Sequence, residues 1–356
     1  MKCSVRLVAN LCVLVLGTPP IGAQDPVRVR PAIPLEPIAA IIDAFSSHSI
    51  VALDEGAHGN AQGHAFRLAL IRDPRFATVV NDIVVEFGNA RYQDLMDRYV
   101  RGEEVSDDVL KQVWRNTTQA HTVWDVPIYE EFFRTVREVN RSLPTTRHLR
   151  VLLGDPPVDW AKVTRWADLD PWLAERDHHP AELVRREVIE KQRRALLIFG
   201  SAHIFRVPMD ESVVHLIRNV IDVFTIATPI SMPTAKDLRT VQSDVDAWPV
   251  PSLTLIRGTT LGQTDFNFYY PPPMVLKDGK AEPVVPAQWR SLTLEDQADA
   301  LLYLGPPCSI QMSRLPATLC ADDTYLTMRL QRMALNPYGQ GQLEGLRRYC
   351  ASQTPR

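Results

Sequence analysis

No long apolar run, no marked excess of charge of either sign and no cluster of cysteines distinguishes this chain, and each absence removes a class of protein. Its 39 Lys and Arg stand against 42 Asp and Glu, a formal net charge of −3 over 356 residues. A nucleic-acid binder needs basic surface to neutralise phosphates, and this balance indicates none. No apolar stretch approaches the roughly 20 residues that span a bilayer, so a permanent membrane span is not expected. The five cysteines, Cys3, Cys12, Cys308, Cys320 and Cys350, are too scattered for a zinc motif. Gly-x-Ser-x-Gly is missing as well, which leaves a conventional serine hydrolase triad without support. There is neither a repeat nor a low-complexity tract, and 45% hydrophobic with 23% charged residues describes an ordinary globular chain.

What is present begins with a leader. Lys2 and Arg6 precede a short apolar run, Leu7 to Leu16, and then Gly17, Pro19 and Pro20 break it. Ile21-Gly22-Ala23 supplies a small residue before Gln24, so residues 1–23 read as a secretory signal peptide cleaved after Ala23, with an uncleaved anchor as the alternative. An exported protein, periplasmic or secreted, is permitted disulfides. Cys308 and Cys320 bracket a short Pro-containing segment and are expected to pair, leaving Cys350 as the odd thiol.

Residues 24–356 read as one α/β domain, with a core over 38–306 and a C-terminal helical segment over 307–356. Short apolar runs at Ile50–Leu53, Val79–Phe87, Leu149–Leu153 and Ala195–Phe199 alternate with helical stretches such as Gln62–Arg72, Ile128–Asn140 and Ala181–Arg193. Val220–Ala227, Leu253–Ile256 and Asp299–Gly305 read as further strands. This alternation predicts a largely parallel central sheet flanked by helices, with helical insertions. Residues 258–290, rich in Pro, Gly and aromatics, read as a long ordered loop.

In a parallel sheet the loops after the strands gather on one edge, where open α/β sheets bind ligands. The four clearest strands end in Glu55 with His58, in Glu86, in Asp155 and in Gly200-Ser201-Ala202-His203. A carboxylate and an imidazole three residues apart suit proton transfer near neutral pH. The plain alternative for Ile50–Gly59 is an N-cap acid and a turn histidine. Asp155, before two prolines, has a turn residue as its alternative reading, and Arg67 a helix arginine paired with a surface acid.

These residues together resemble the erythromycin esterase family, within the wider group of ChaN-like haem-uptake proteins and Tiki/TraB proteins. In those esterases a strand ends in Gly-Glu-x-x-His-Gly, an Arg follows nine residues after the His, and the next strand ends in Glu. Glu55, His58, Gly59, Arg67 and Glu86 stand at those points here, and RVLLGD and RRALLIFGSAHI resemble later strands, over roughly residues 48–206. Two positions depart: Asp54 stands where the esterases usually have Gly, and Gly200 stands where their later motif has the first of two histidines. Gly200-x-x-His203 resembles the Tiki/TraB pattern instead.

The esterase resemblance implies a hydrolase of an ester or lactone. His58 would be the general base on water, Glu55 or Glu86 would orient it, and Arg67 and His203 would bind substrate or the developing oxyanion. Asp155 is a further candidate for substrate binding. No cofactor is expected on this reading, and the partner is a small-molecule substrate. A Tiki/TraB-like alternative makes Glu55, His58, Glu86 and His203 ligands of a divalent metal. A ChaN-like alternative is a haem or small-ligand binding protein with Tyr92, Tyr269, Tyr270, His178 and His179 available as axial ligands.

Overall fold

A computed structural model describes residues 29–229, 235–272, 274–277 and 280–353; the expected leader lies outside them. The described residues form nine strands in chain order: β1 (Ile50–Asp54), β2 (Asp82–Asn89), β3 (Arg150–Asp155), β4 (Ala195–Phe199), β5 (Val223–Ala227), β6 (Ser252–Leu255), β7 (Met274–Lys277), β8 (Lys280–Pro283) and β9 (Ala300–Tyr303). Seven of them form one sheet in the order β3-β2-β4-β1-β5-β9-β6. Every neighbouring pair is parallel except β6, which closes the edge antiparallel to β9. The expected α/β class is observed. β4 returns to lie between β1 and β2, so the loops after β1, β2 and β4 meet at the middle of the carboxyl edge.

The strands are apolar throughout because both faces are covered. Val51 and Leu53 point to one face with Ile83, Val85, Leu196 and Ile198, while Ile50 and Ala52 point to the other with Val84, Ala195 and Leu197. The four longest helices among the described residues are α1 (Ala61–Arg72), α2 (Pro127–Arg141), α3 (Asp323–Leu335) and α4 (Gln340–Gln353). α2 starts with Pro at its first turn and sets Tyr129, Phe132, Phe133 and Val136 on one face at helical spacing. All four are buried with the first face of the sheet, each contributing roughly 1.5–3 kcal/mol. Helices His178–Val184 and Val213–Ile217 cover the second face.

Some boundaries moved. Val79 closes a helical turn over Phe76–Val79, so β2 begins at Asp82 and continues past Glu86 to Asn89. Asn89 accounts for that extension, since its side-chain amide donates to the carbonyls of Asn116 and Val158 and anchors the strand end. In the described part of the aromatic-rich segment Phe266 and Trp289 are buried against Phe205, Tyr269 is buried in the same cluster, and β7 and β8 pair antiparallel.

The expected Cys308–Cys320 pairing is incorrect. Cys320 bonds to Cys350, whose Cα is 5.2 Å away, and Cys308 is free and exposed. Packing decides the pairing: Leu319, Tyr325, Leu343 and Leu346 form an apolar cluster that lays the turn Ala317–Ala321 against α4. Cys308 sits outside that cluster on the turn Pro307–Ser309. No helix among the described residues is long and apolar enough to cross a membrane.

Candidate active site

β1 hands the chain to a tight turn. The Glu55 N–H still donates to the Phe199 carbonyl at 2.8 Å, and then Gly56 (φ 67°) and Gly59 (φ 86°) take left-handed conformations that reverse the backbone. His58 therefore folds back onto Glu55, with Nδ1 2.9 Å from Oε2. Asn60 caps α1 by accepting from the Gly63 N–H, and one turn later Arg67 reaches back to the other Glu55 oxygen at 3.1 Å. From α2, the Tyr129 hydroxyl oxygen accepts the Gly59 N–H at 3.0 Å, and burial beside the Glu55 carboxylate raises the Tyr129 pKa.

This arrangement sets the charge states. Glu55 is fully buried, which favours protonation, but Arg67 and His58 outweigh burial and hold its carboxyl below the usual range. Burial likewise opposes a charge on His58, yet the bond from Glu55 and the field of Glu86 raise its pKa above the ordinary value. The His58 side chain is 32% exposed, and its ring lies edge-on to Trp124 with centroids 4.7 Å apart.

A second chain of charges abuts the first. Glu86 Oε1 accepts from Arg176 at 2.7 Å and lies 3.4 Å from His203 Nε2, while Oε2 accepts from the Gly200 N–H at 2.8 Å. The opposite side of His203 donates from Nδ1 to Asp177 at 2.8 Å. Despite burial, Glu86 and Asp177 push the His203 pKa up to about 9, so it is an imidazolium at neutral pH. Glu86, despite its own burial, is held well below the carboxylate range by His203, His58 and Arg176.

The two chains meet at Gly200. A Cβ there would lie 2.9 Å from His58 Cε1 and 3.2 Å from Glu86 Oε2. Gly200 has φ −63°, which any residue adopts, so glycine is required for room and not for conformation. Gly200→Ala is therefore expected to push the His58 ring off its position and shift its imidazole NMR signals while circular dichroism stays native; unshifted signals would contradict the placement.

Asp54 and Asp155 organise the rim. Asp54 Oδ1 accepts from the Gly56 N–H and from Ser201 Oγ, and Oδ2 from the Thr228 N–H and the Tyr270 hydroxyl, at 2.6–3.1 Å. It joins the loops after β1, β4 and β5 to the aromatic segment, and burial raises its pKa. Asp155 accepts from the Thr118 backbone N–H and hydroxyl at 2.8 and 2.5 Å. Burial pushes its pKa up to about 7.

The strand-end residues thus divide by exposure. Glu55, His58 and Arg67 form one bonded chain and Glu86 with His203 a second, adjoining one. Arg67 and Asp155, expected to meet substrate, are each only 3% exposed and are spent on Glu55 and Thr118. Strand-end reasoning missed Arg176 and Asp177, which come from the connection between helical turns Asp170–Ala174 and His178–Val184. The only signal in the sequence was the run of ionisable residues Arg176-Asp177-His178-His179. Tyr129 was likewise unforeseen.

As metal ligands, Glu55, His58, Glu86 and His203 fit poorly. Both carboxylates face guanidinium groups, and among the described residues no group of three or more His, Cys, Asp or Glu is arranged to hold a metal ion. The side chains considered for haem are mostly engaged: Tyr92 with Asn116, Tyr270 with Asp54, His178 with Glu211, and Tyr269 is wholly buried.

Fold and site together define an α/β protein with a carboxylate-supported histidine at the carboxyl edge of its sheet. No family model and no curated protein matches the sequence. Among solved structures, a Bacillus cereus protein is similar over 80% of this chain and 96% of its own, at 10% identity and a TM-score of 0.51. A succinoglycan biosynthesis protein is similar over the same shares, at 10% identity and a TM-score of 0.50. ChaN of Campylobacter jejuni, a haem binder, is similar over 53% of this chain and 85% of its own, at 12% identity and a TM-score of 0.36. The first two are likenesses of fold.

Proposed function

We propose that the protein is an exported hydrolase of ester or lactone bonds, with His58 as general base. The observation that carries this reading is the His58 ring. Glu55 holds Nδ1, whereas Nε2 has no hydrogen-bond partner among the described residues, on a side chain 32% exposed to solvent. Neutral His58 takes a proton from water through Nε2, the water oxygen bonds to the carbonyl carbon, and the tetrahedral adduct expels the alkoxide, which receives the proton back from His58. Glu55 stabilises the imidazolium formed midway, and Arg67 keeps Glu55 ionised. Arg176, whose side chain is 23% exposed and whose field reaches His58, supplies positive potential for the oxyanion. His203, bonded to carboxylates on both sides, positions Glu86 and Arg176. The Cys320–Cys350 disulfide is in keeping with export.

The test is a pH profile of hydrolysis over a panel of esters and lactones, with and without EDTA. A base must be deprotonated to act, and the His58 pKa is raised, so kcat/KM should climb with pH through a midpoint above the free-histidine value of about 6.5. Glu55→Gln removes the group that raises it, so the midpoint should fall. A pH-independent rate, or loss of activity in EDTA, would overturn the mechanism.

A further inference from the structure

A groove of about 700 Å³ lies between the segment just before Trp124 and the C-terminal helices, walled chiefly by His121, Val123, Leu315, Met333, Leu346 and Tyr349. That volume suits a small organic molecule. The groove adjoins the segment that packs on the candidate active site. Val123 precedes Trp124, whose ring packs on His58, and His121 Nε2 bonds the Gln119 amide, whose oxygen accepts from Arg176 when the amide is oriented to satisfy both. Its charge is one-signed. No carboxylate among the described residues lines it; His121 is held down at about 4 by burial and nearby Arg329, hence neutral; and Arg314 is an exposed cation with no ion pair among the described residues.

We propose that this groove receives an apolar part of the substrate that ends in an anionic group, the chain lying along Val123, Leu315 and Leu346 and the anion meeting Arg314. The proposal rests on the hydrolase reading for the bond cleaved but on the groove alone for what binds. The C-terminal helices are then part of the substrate site, and the Cys320–Cys350 bond ties down the wall that α4 supplies through Leu346 and Tyr349.

The experiment compares p-nitrophenyl acetate, p-nitrophenyl octanoate and the mono-p-nitrophenyl ester of octanedioic acid. The expected result is a kcat/KM at least tenfold higher for the octanoyl than for the acetyl ester, through KM, with a further gain from the terminal carboxylate. Gly345 borders the groove on α4 with open space beyond its Cα, so Gly345→Leu should fill it and cut the octanoyl-to-acetyl ratio at least tenfold. Arg314→Gln should abolish only the carboxylate gain. Equal rates for the acetyl and octanoyl esters, or a ratio unchanged in Gly345→Leu, would overturn the proposal while leaving the hydrolase reading in place. If no ester is cleaved, that reading falls, and calorimetric titration of octanoate decides the groove: saturable binding weakened at least tenfold by Gly345→Leu supports it, and no binding overturns it.

Discussion

His58→Ala is expected to lower kcat for any ester the protein cleaves by about 10²–10⁴-fold, the usual contribution of a positioned general base, with little change in KM. The size follows from how little else at the site can take a proton. Glu55 and Glu86 are buried and ion-paired, with pKa values held down, so neither is a base of useful strength near neutral pH. His203 is already protonated there. The fold should survive, because Glu55 keeps its bond to Arg67 and the lost side chain is partly exposed. His58→Asn separates loss of the base from loss of structure, since its amide can still donate to Glu55 yet cannot accept a proton. Equal loss of turnover in both variants, with native circular dichroism, is the expected result; activity retained in either would remove His58 from the mechanism.

Glu55, His58, Glu86 and His203 were legible because parallel-sheet topology gathers strand ends, and apolar runs such as Ala195–Phe199 declare where strands end. The cation that faces Glu86 was not. Arg176 arrives from a connection without strand or long helix, and only the fold brings it beside a residue 90 positions away. Arg67 was legible as a site residue, but its direction was not: spacing along α1 shows that it returns to the turn, and burial shows that it stops behind Glu55. Pairing of cysteines failed for a related reason. Nearness in sequence favoured Cys308 with Cys320, whereas the partner was decided by an apolar cluster between helices that periodicity locates individually and does not dock.

The same limit hid the role of the C-terminal segment, which the sequence presented as terminal helices and the structure makes a brace for the site. Arg329 on α3 is 2% exposed. Its guanidinium donates to the carbonyls of Arg115 and Ala120, at 2.9 and 3.1 Å, and lies 3.3 Å from Asp125 Oδ2. The Tyr325 hydroxyl donates to the other Asp125 oxygen at 2.6 Å. These bonds fix residues 115–125, the stretch that carries Gln119, His121 and Trp124. Arg329→Met is expected to destabilise the fold by about 1–3 kcal/mol, because it leaves buried carbonyls unpaired and removes one of the two cations beside the buried Asp125 carboxylate, Arg115 remaining 3.5 Å away, read as a lower urea midpoint with an unchanged slope. Adding Asp125→Asn removes the under-compensated charge, so the double variant should recover part of the loss; simple additivity would mean that the two side chains are not coupled. Below the unfolding transition, Arg329→Met should also raise KM for the octanoyl ester, because the loosened 115–125 segment forms one wall of the groove.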